Sequence, residues 1–170
     1  MISGKKFLAI IPARSGSKRI IDKNIKIVGG KPLIAWSIDQ ANSSKYLDRT
    51  IISTDCEKIR DVAKKWQGDI PFLRPSFLAK DDTPGVDTVI HAIKKIKSFD
   101  YVVLLQPTSP LRTSLDIDKS IEFILKMRSD FLVSMTKISY NFEWMYKLVD
   151  NSKITKAFKN PNNLSKTYIL

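Results

Sequence analysis

Small polar residues and cations are concentrated in one segment near the start of the chain. It reads PARSGSKR over residues 12–19 and continues to Lys23 and Asn24. Its small residues expose backbone N–H groups, its serines add hydroxyl donors, and its cations offset the charge of a phosphate chain. The spacing fits neither a Walker A loop nor the dinucleotide fingerprint Gly-x-Gly-x-x-Gly. The segment predicts a different kind of phosphate-binding loop, with an ordinary basic turn as the alternative.

Two further segments carry side chains suited to ligand binding. The segment QPTSPLR (residues 106–112) places Gln106, Thr108 and Ser109 on a loop stiffened by prolines, which suits a polyhydroxylated ligand; the alternative is a proline-rich strand exit. Asp55 ends the segment ISTD and is suited either to a cation or to capping the next helix. The pair Asp116 and Asp118 has metal-ligand spacing, but it begins a predicted helix, where acidic residues favour the macrodipole.

Short apolar runs precede these loops and predict the strands that position them. We expect strands at residues 7–11, 50–53, 70–73, 101–105 and 131–135, alternating with helices that begin near residues 32, 57, 86 and 117. The third helix should bury Val86, Val89, Ile90, Ile93 and Ile96. This alternation predicts an α/β fold with a mainly parallel sheet, in which the loops at the carboxyl ends of the strands converge on one crevice.

The last part of the chain shows a different pattern. Residues 143–149 and 153–158 flank the turn Asp150-Asn151-Ser152 and predict a β-hairpin. We therefore expect one domain over residues 1–170, with a nucleotide-binding core at 1–135 and a hairpin or dimerisation-type extension at 136–170.

The composition narrows the class of protein. A formal net charge of +12 would attract any polyanion, but no strand interleaves aromatic and basic residues and no recognition helix is evident, which argues against nucleic acid. Cys56 is the only cysteine, so disulfides and multi-cysteine metal clusters are excluded. The first apolar run is too short for a signal peptide or a membrane span, and we expect a cytoplasmic protein without membrane association. His91, without a second histidine as partner, is typical of a surface or packing residue.

Several segments, taken together, resemble acylneuraminate cytidylyltransferases. They are IPARSGSKR (11–19) with Lys23-Asn24, ISTD (52–55), FLRP (72–75) with Leu78-Ala79-x-Asp81, and LLQPTSPLR (104–112). The resemblance spans nearly the whole chain and includes enzymes for pseudaminic and legionaminic acids. It implies a three-layer, Rossmann-like nucleotidyltransferase fold, CMP transfer from CTP to an acidic nine-carbon sugar with release of pyrophosphate, Mg²⁺ as cofactor, and a homodimer serving cell-surface polysaccharide synthesis.

The resemblance also implies a role for individual residues. The catalytic cations would be Arg14, Lys18 and Lys23. Gln106, Thr108 and Ser109 would face the sugar. For the metal, the residue that we expect in this chain is Asp55, from its own position after a strand and not from the resemblance. The residues expected to bind CTP are Ala13, Ser15, Gly16, Ser17, Asn24, Arg74, Thr83 and Gly85.

The sequence departs from this family pattern in two places. Ile20 and Ile21 stand where relatives commonly carry Pro and Gly. Relatives also continue past the point matching Leu170 into a dimerisation region and a late Asp-x-Asp segment that holds the metal. We therefore expect this chain to bind CTP but turn over poorly. The alternatives are a synthetase for CMP-Kdo, another sugar nucleotidyltransferase, or a catalytically silent nucleotide-binding or assembly protein.

Overall fold

A computed structural model describes residues 1–135 and the backbone of two later strands at residues 146–149 and 153–156. The chain divides into two compact units, Met1–Arg128 and Ser129–Leu170. The helices of the first unit are α1 (Leu33–Asn42), α2 (Glu57–Lys65), α3 (Gly85–Lys95) and α4 (Ser114–Met127). Its strands are β1 (Phe7–Pro12), β2 (Ile27–Val28), β3 (Lys31–Pro32), β4 (Arg49–Ser53) and β5 (Tyr101–Leu104).

The central strand of the main sheet is β1, which pairs in parallel with β4 on one side and β5 on the other. Its residues 7–11 are almost completely buried, as the uninterrupted apolar run predicts for a strand covered on both faces. Leu8 and Ile10 pack with Ala92 of α3, and the alternate residues of β1 face the opposite side. The first, second and fourth predicted strands are therefore confirmed.

The predicted strand at residues 70–73 is wrong as a continuous strand. Only isolated parallel bridges join this segment to its neighbour, Ile51 to Asp69 and Thr54 to Leu73. Pro71 lies between them and has no N–H with which to continue the ladder. The segment still runs beside β4, because Arg74 N donates to Thr54 O at 2.7 Å.

The predicted strand at residues 131–135 is also wrong. These residues form no ladder with any other described residue, and Phe131 is 77% exposed. An apolar run becomes a strand only where a neighbouring strand pairs with its backbone groups.

Helix α3 forms where predicted but buries a different face. Thr88 and Ala92 are buried. Val89 and Ile96, both predicted to be buried, pack partly against the core. The prediction is wrong for the other three apolar residues, which are 43–59% exposed: Val86, Ile90 and Ile93. The helix is oriented by contacts that apolar periodicity does not reveal, since Thr88 bonds a buried arginine and Ala92 fits against β1.

The predicted C-terminal hairpin is confirmed for the residues whose backbone is described. Strands β6 (Tyr146–Val149) and β7 (Lys153–Lys156) pair antiparallel, from Tyr146 opposite Lys156 to Val149 opposite Lys153. The turn at residues 150–152 and the outer ends of the predicted strands lie outside the described residues. None of the described helices has the length and apolar character needed to cross a membrane.

Candidate functional site

The loops after β1 and β5 and the segment at residues 74–88 meet around one recess of about 290 Å³, which the loop after β4 does not line. We call the segment after β1, residues 13–24, the phosphate loop, and the segment after β5, residues 105–112, the acceptor loop. Both contribute to the recess, together with the segment that leads into α3. The predicted site residues that line it are Arg14, Ser17, Lys23, Asn24, Arg74, Thr83, Gly85, Gln106 and Thr108.

A second recess, of about 400 Å³, lies along the phosphate loop itself. Residues 14–18 line it, so Ser15, Gly16 and Lys18 are placed here, opposite the segment Ala79–Asp81. Arg14 and Ser17 line both recesses. The two recesses are therefore adjacent parts of one site, large enough together for an elongated anionic ligand.

The backbone of the phosphate loop is held by polar contacts from both sides. Asp55, at the end of β4, accepts from Ser15 N at 3.0 Å and from Ser15 Oγ at 2.6 Å. On the other side, buried Asn24 donates from Nδ2 to Arg14 O at 2.9 Å. These contacts fix the loop before any ligand arrives, which is how a small-residue loop keeps its donors oriented.

Asp55 therefore acts as a loop anchor in this structure. It does not cap α2, which begins after Cys56 without a side-chain cap. Its oxygens are engaged by Ser15, and its Oδ1 lies 3.6 Å from Arg74 Nη2. Among the described residues no group of three or more His, Cys, Asp or Glu side chains could hold a metal ion. The predicted role of Asp55 as a metal ligand stays a prediction.

Arg74 is a buried cation beneath the first recess. Its side chain is 3% exposed, and Nη1 donates to Thr88 Oγ1 at 2.8 Å. Nε and Nη2 have no hydrogen-bond partner among the described residues. Burial lowers the pKa of Arg74 despite the opposing effect of Asp55. Arg74 is therefore held by Thr88 on one side and lies close to the Asp55 carboxylate on the other.

Two cations of the phosphate loop share one carboxylate. Asp81 Oδ1 lies 2.6 Å from Arg14 Nη2, and Asp81 Oδ2 lies 2.6 Å from Lys18 Nζ. The hydrogen bonds from Lys18 and Arg14 lower the pKa of Asp81. Sequence reasoning missed this role, although Asp81 stands in a quoted motif, because sequence spacing does not reveal which cations a carboxylate contacts.

The acceptor loop presents its polar side chains outward. Gln106 and Thr108 are exposed on either side of buried Pro107. Arg112 supports the loop from below, because Nη2 donates to Ser37 Oγ at 3.0 Å and to Gln106 O at 3.4 Å. Burial lowers the pKa of Arg112. The loop thus displays hydrogen-bonding groups on a cationic support.

Three predicted site residues line neither recess: Ala13, Ser109 and Asp55, the anchor of the phosphate loop. Ala13 is fully buried, and its N–H donates to Ser53 O at 2.9 Å, so this N–H continues the pairing of β1 with β4. Ser109 is exposed beyond the recess and closes a turn from its own N–H to Gln106 O at 3.2 Å. Their predicted contacts with CTP and sugar stay predictions.

The second aspartate pair has structural roles. Asp116 accepts from Thr113 N and forms a capping box at the start of α4, as its position at a helix N-terminus predicts. Buried Asp118 accepts from Ser44 Oγ at 2.6 Å and from Lys45 N at 3.1 Å. His91 lies edge-on to Phe72 and, like Cys56, lines neither recess.

Comparison with known proteins assigns the sequence to a family. The family model described as Cytidylyltransferase matches residues 8–168. The chain is 38% identical over 155 residues to CMP-N,N'-diacetyllegionaminic acid synthase of Legionella pneumophila, covering 89% of this chain and 66% of that protein. It is 36% identical over 172 residues to pseudaminic acid cytidylyltransferase of Campylobacter jejuni, covering 96% and 74%. It is 33% identical over 151 residues to N-acylneuraminate cytidylyltransferase of Escherichia coli, covering 88% and 36%.

Solved structures support the predicted fold. A CMP:2-keto-3-deoxy-manno-octonic acid synthetase complexed with CTP matches with a TM-score of 0.65 at 21% identity, over 73% of this chain and 49% of the other. The 4-diphosphocytidyl-2C-methyl-D-erythritol synthase of Anaerococcus prevotii matches with a TM-score of 0.63 at 21% identity, over 90% and 63%. These matches confirm the three-layer α/β nucleotidyltransferase fold.

Proposed function

The chain belongs to the cytidylyltransferase family, and on this basis we propose that it transfers CMP from CTP to a nonulosonic, sialic-acid-like sugar acid. The relatives at 33–38% identity are named for legionaminic, pseudaminic and N-acylneuraminic acids. One structural observation carries the proposal: cations of the phosphate loop and polar groups of the acceptor loop line the same recess. A phosphate donor and a hydroxylated acceptor can therefore meet there.

The proposed reaction is an in-line displacement. The anomeric hydroxyl oxygen forms a bond to the α-phosphorus of CTP, the bond from that phosphorus to the bridging oxygen breaks, and pyrophosphate leaves with that oxygen while the hydroxyl proton is released. No protein nucleophile is needed. Arg14, Lys18 and Lys23 would neutralise charge on the phosphates, and catalysis would consist of positioning and electrostatic stabilisation.

The remaining contacts follow from the two ends of the site. Arg74 and the turn from Thr83 to Gly85 would meet cytosine, because they line the same recess as the phosphate loop. Gln106 and Thr108 would meet the sugar, with Ser109 beyond them. Mg²⁺ stays a proposal, and so does Asp55 as its ligand, a role that Asp55 would perform beside its contacts with Ser15.

The cellular setting is proposed on the same basis. We propose a cytoplasmic homodimer that supplies an activated sugar for cell-surface polysaccharide. The net charge of +12 favours a site for two anionic substrates, CTP and a sugar carboxylate.

The test combines calorimetric titration with an activity assay. CTP should bind more tightly than UTP, ATP or GTP, and pyrophosphate release should require a nonulosonic acid. Equal affinity for the four nucleotides would contradict the cytosine assignment. Release of pyrophosphate with Kdo, and with no nonulosonic acid, would identify the chain as a CMP-Kdo synthetase. Binding of CTP without release with any acceptor would indicate a nucleotide-binding or assembly protein.

A further inference from the structure

Asp81 occupies the position between two cations where phosphate oxygens would be expected to bind. Each of its carboxylate oxygens contacts a different cation, Arg14 or Lys18, at 2.6 Å. Arg14 Nη1 also donates to Ala79 O at 3.3 Å, so the segment carrying Asp81 contacts the loop at a second point. A carboxylate that bridges two cations offers them the same oxygen ligands as a phosphate group does.

The segment that carries Asp81 is short and anchored at both ends. It follows a 3₁₀ turn, Ser76–Leu78, and ends at the first residue of α3, Gly85. Thr83 Oγ1 donates to Phe77 O at 3.2 Å and closes the segment on itself. Between these anchors Lys80, Asp81 and Asp82 are exposed. Asp81 is therefore presented to the phosphate loop by a surface segment, and a ligand can displace it without opening the core.

Both pairs with Asp81 lie at the surface, and such pairs are individually weak. The Lys18 side chain is 81% exposed and that of Asp81 is 41% exposed. Exposed ion pairs contribute little because solvent screens them. A triphosphate carries more charge than one carboxylate and can take over both cations. A ligand with a single phosphate has less charge with which to compete.

Resting on the proposed function, we propose that Asp81 is an internal competitor for the nucleotide phosphates and sets the affinity of the site. It holds Arg14 and Lys18 while the site is empty and is displaced when the triphosphate binds. Displacing Asp81 adds a cost to the binding of every ligand whose phosphates take over Arg14 and Lys18, and it adds none for a ligand without phosphates.

The test is a pair of isosteric substitutions at neighbouring positions. Asp81→Asn removes the bridging charge. Asp82→Asn removes the same charge one residue away, where no ion pair is formed with any described residue. Calorimetry would measure the Kd of each variant for CTP, inorganic tripolyphosphate and cytidine. Asp81→Asn should lower the Kd for CTP and for tripolyphosphate about fivefold and leave the Kd for cytidine unchanged. Asp82→Asn should change each Kd less than about twofold.

Several results would overturn this assignment. Weaker binding of CTP by Asp81→Asn would make Asp81 a ligand of the nucleotide or of its cation. An equal fall of the Kd in both variants would mean that only long-range charge matters. An unchanged Kd in Asp81→Asn, or no binding of CTP and of tripolyphosphate, would show that Asp81 does not compete with phosphates. Tripolyphosphate carries no base. A lower Kd of Asp81→Asn for tripolyphosphate, together with failure to bind CTP, would contradict the proposed function and leave the role of Asp81 intact.

Discussion

The phosphate loop and the acceptor loop leave the same edge of the sheet, but they are held in place differently. Side-chain contacts tie down the phosphate loop. Asp55 and Asp81, from other parts of the chain, hold Ser15 and bridge two of the loop's cations, and Asn24, at the end of the loop itself, holds the backbone of Arg14. The acceptor loop relies on its own turn, on buried Pro107 and on Arg112 beneath it.

This difference matches what each loop is proposed to bind. Phosphates are rigid and highly charged, so a loop that meets them gains from donors fixed in advance. A sugar is recognised through separate hydrogen bonds, and exposed side chains on a short proline-stiffened loop can supply these. The comparison therefore predicts that substitutions of the phosphate-loop cations affect the rate, that loss of the anchor outside the loop affects folding, and that substitutions in the acceptor loop affect only the sugar.

The largest expected effect is on turnover, from Arg14→Ala. Arg14 lines both recesses and would stabilise charge on the transferring phosphate, so kcat should fall about 100- to 1,000-fold. The melting temperature should change little, because the guanidinium is partly exposed and pairs at the surface. Pyrophosphate release and thermal unfolding would be measured together, with Lys26→Ala as an exposed control. A rate within about threefold of the parent would refute the role.

The next effect is on folding, from Asp55→Asn. The change removes the negative charge 3.6 Å from buried Arg74 and one acceptor for Ser15. The free energy of unfolding should fall by about 2 kcal/mol, because a buried cation loses its countercharge. Asp22→Asn is the matched control in the same loop. It pairs with exposed Lys58 at 2.6 Å, and its loss should cost less than about 1 kcal/mol. Urea denaturation giving equal values for the two variants would contradict the anchoring role.

The sequence predicts some elements of the fold and fails for others. Apolar runs and helical periodicity are enough to place β1, β4, β5 and the four helices of the first unit. They fail in two places. The predicted third strand contains Pro71, a residue visible in the sequence, and Pro71 breaks the ladder there. A tertiary contact decides the other case, because Thr88, bonded to Arg74, helps orient α3 so that Val86 is exposed.

The candidate site shows the same division. Convergence of the loops on one crevice follows from the parallel order of the strands, which the alternation of elements already indicates. The order of the strands does not show which side chains contact each other within the site. Asp81 is more than sixty residues from Lys18 along the chain, and only the folded geometry shows that it bridges Lys18 and Arg14. Asp55 lies near both Arg74 and the phosphate loop, and only the geometry shows that its hydrogen bonds go to Ser15.

The smallest expected effect on the protein itself comes from Thr108→Ala in the acceptor loop. The Thr108 side chain is exposed and makes no hydrogen bond with any described residue, so unfolding should shift by less than about 0.5 kcal/mol. The Kd for CTP should stay the same, while KM for the sugar acid should rise about fivefold, the equivalent of one lost hydrogen bond. Ser120→Ala on α4 is the matched control, since it removes a hydroxyl that bonds only within its own helix. An unchanged KM would remove Thr108 from the sugar site, and an equal loss of CTP affinity would show that the two loops do not divide the substrates between them.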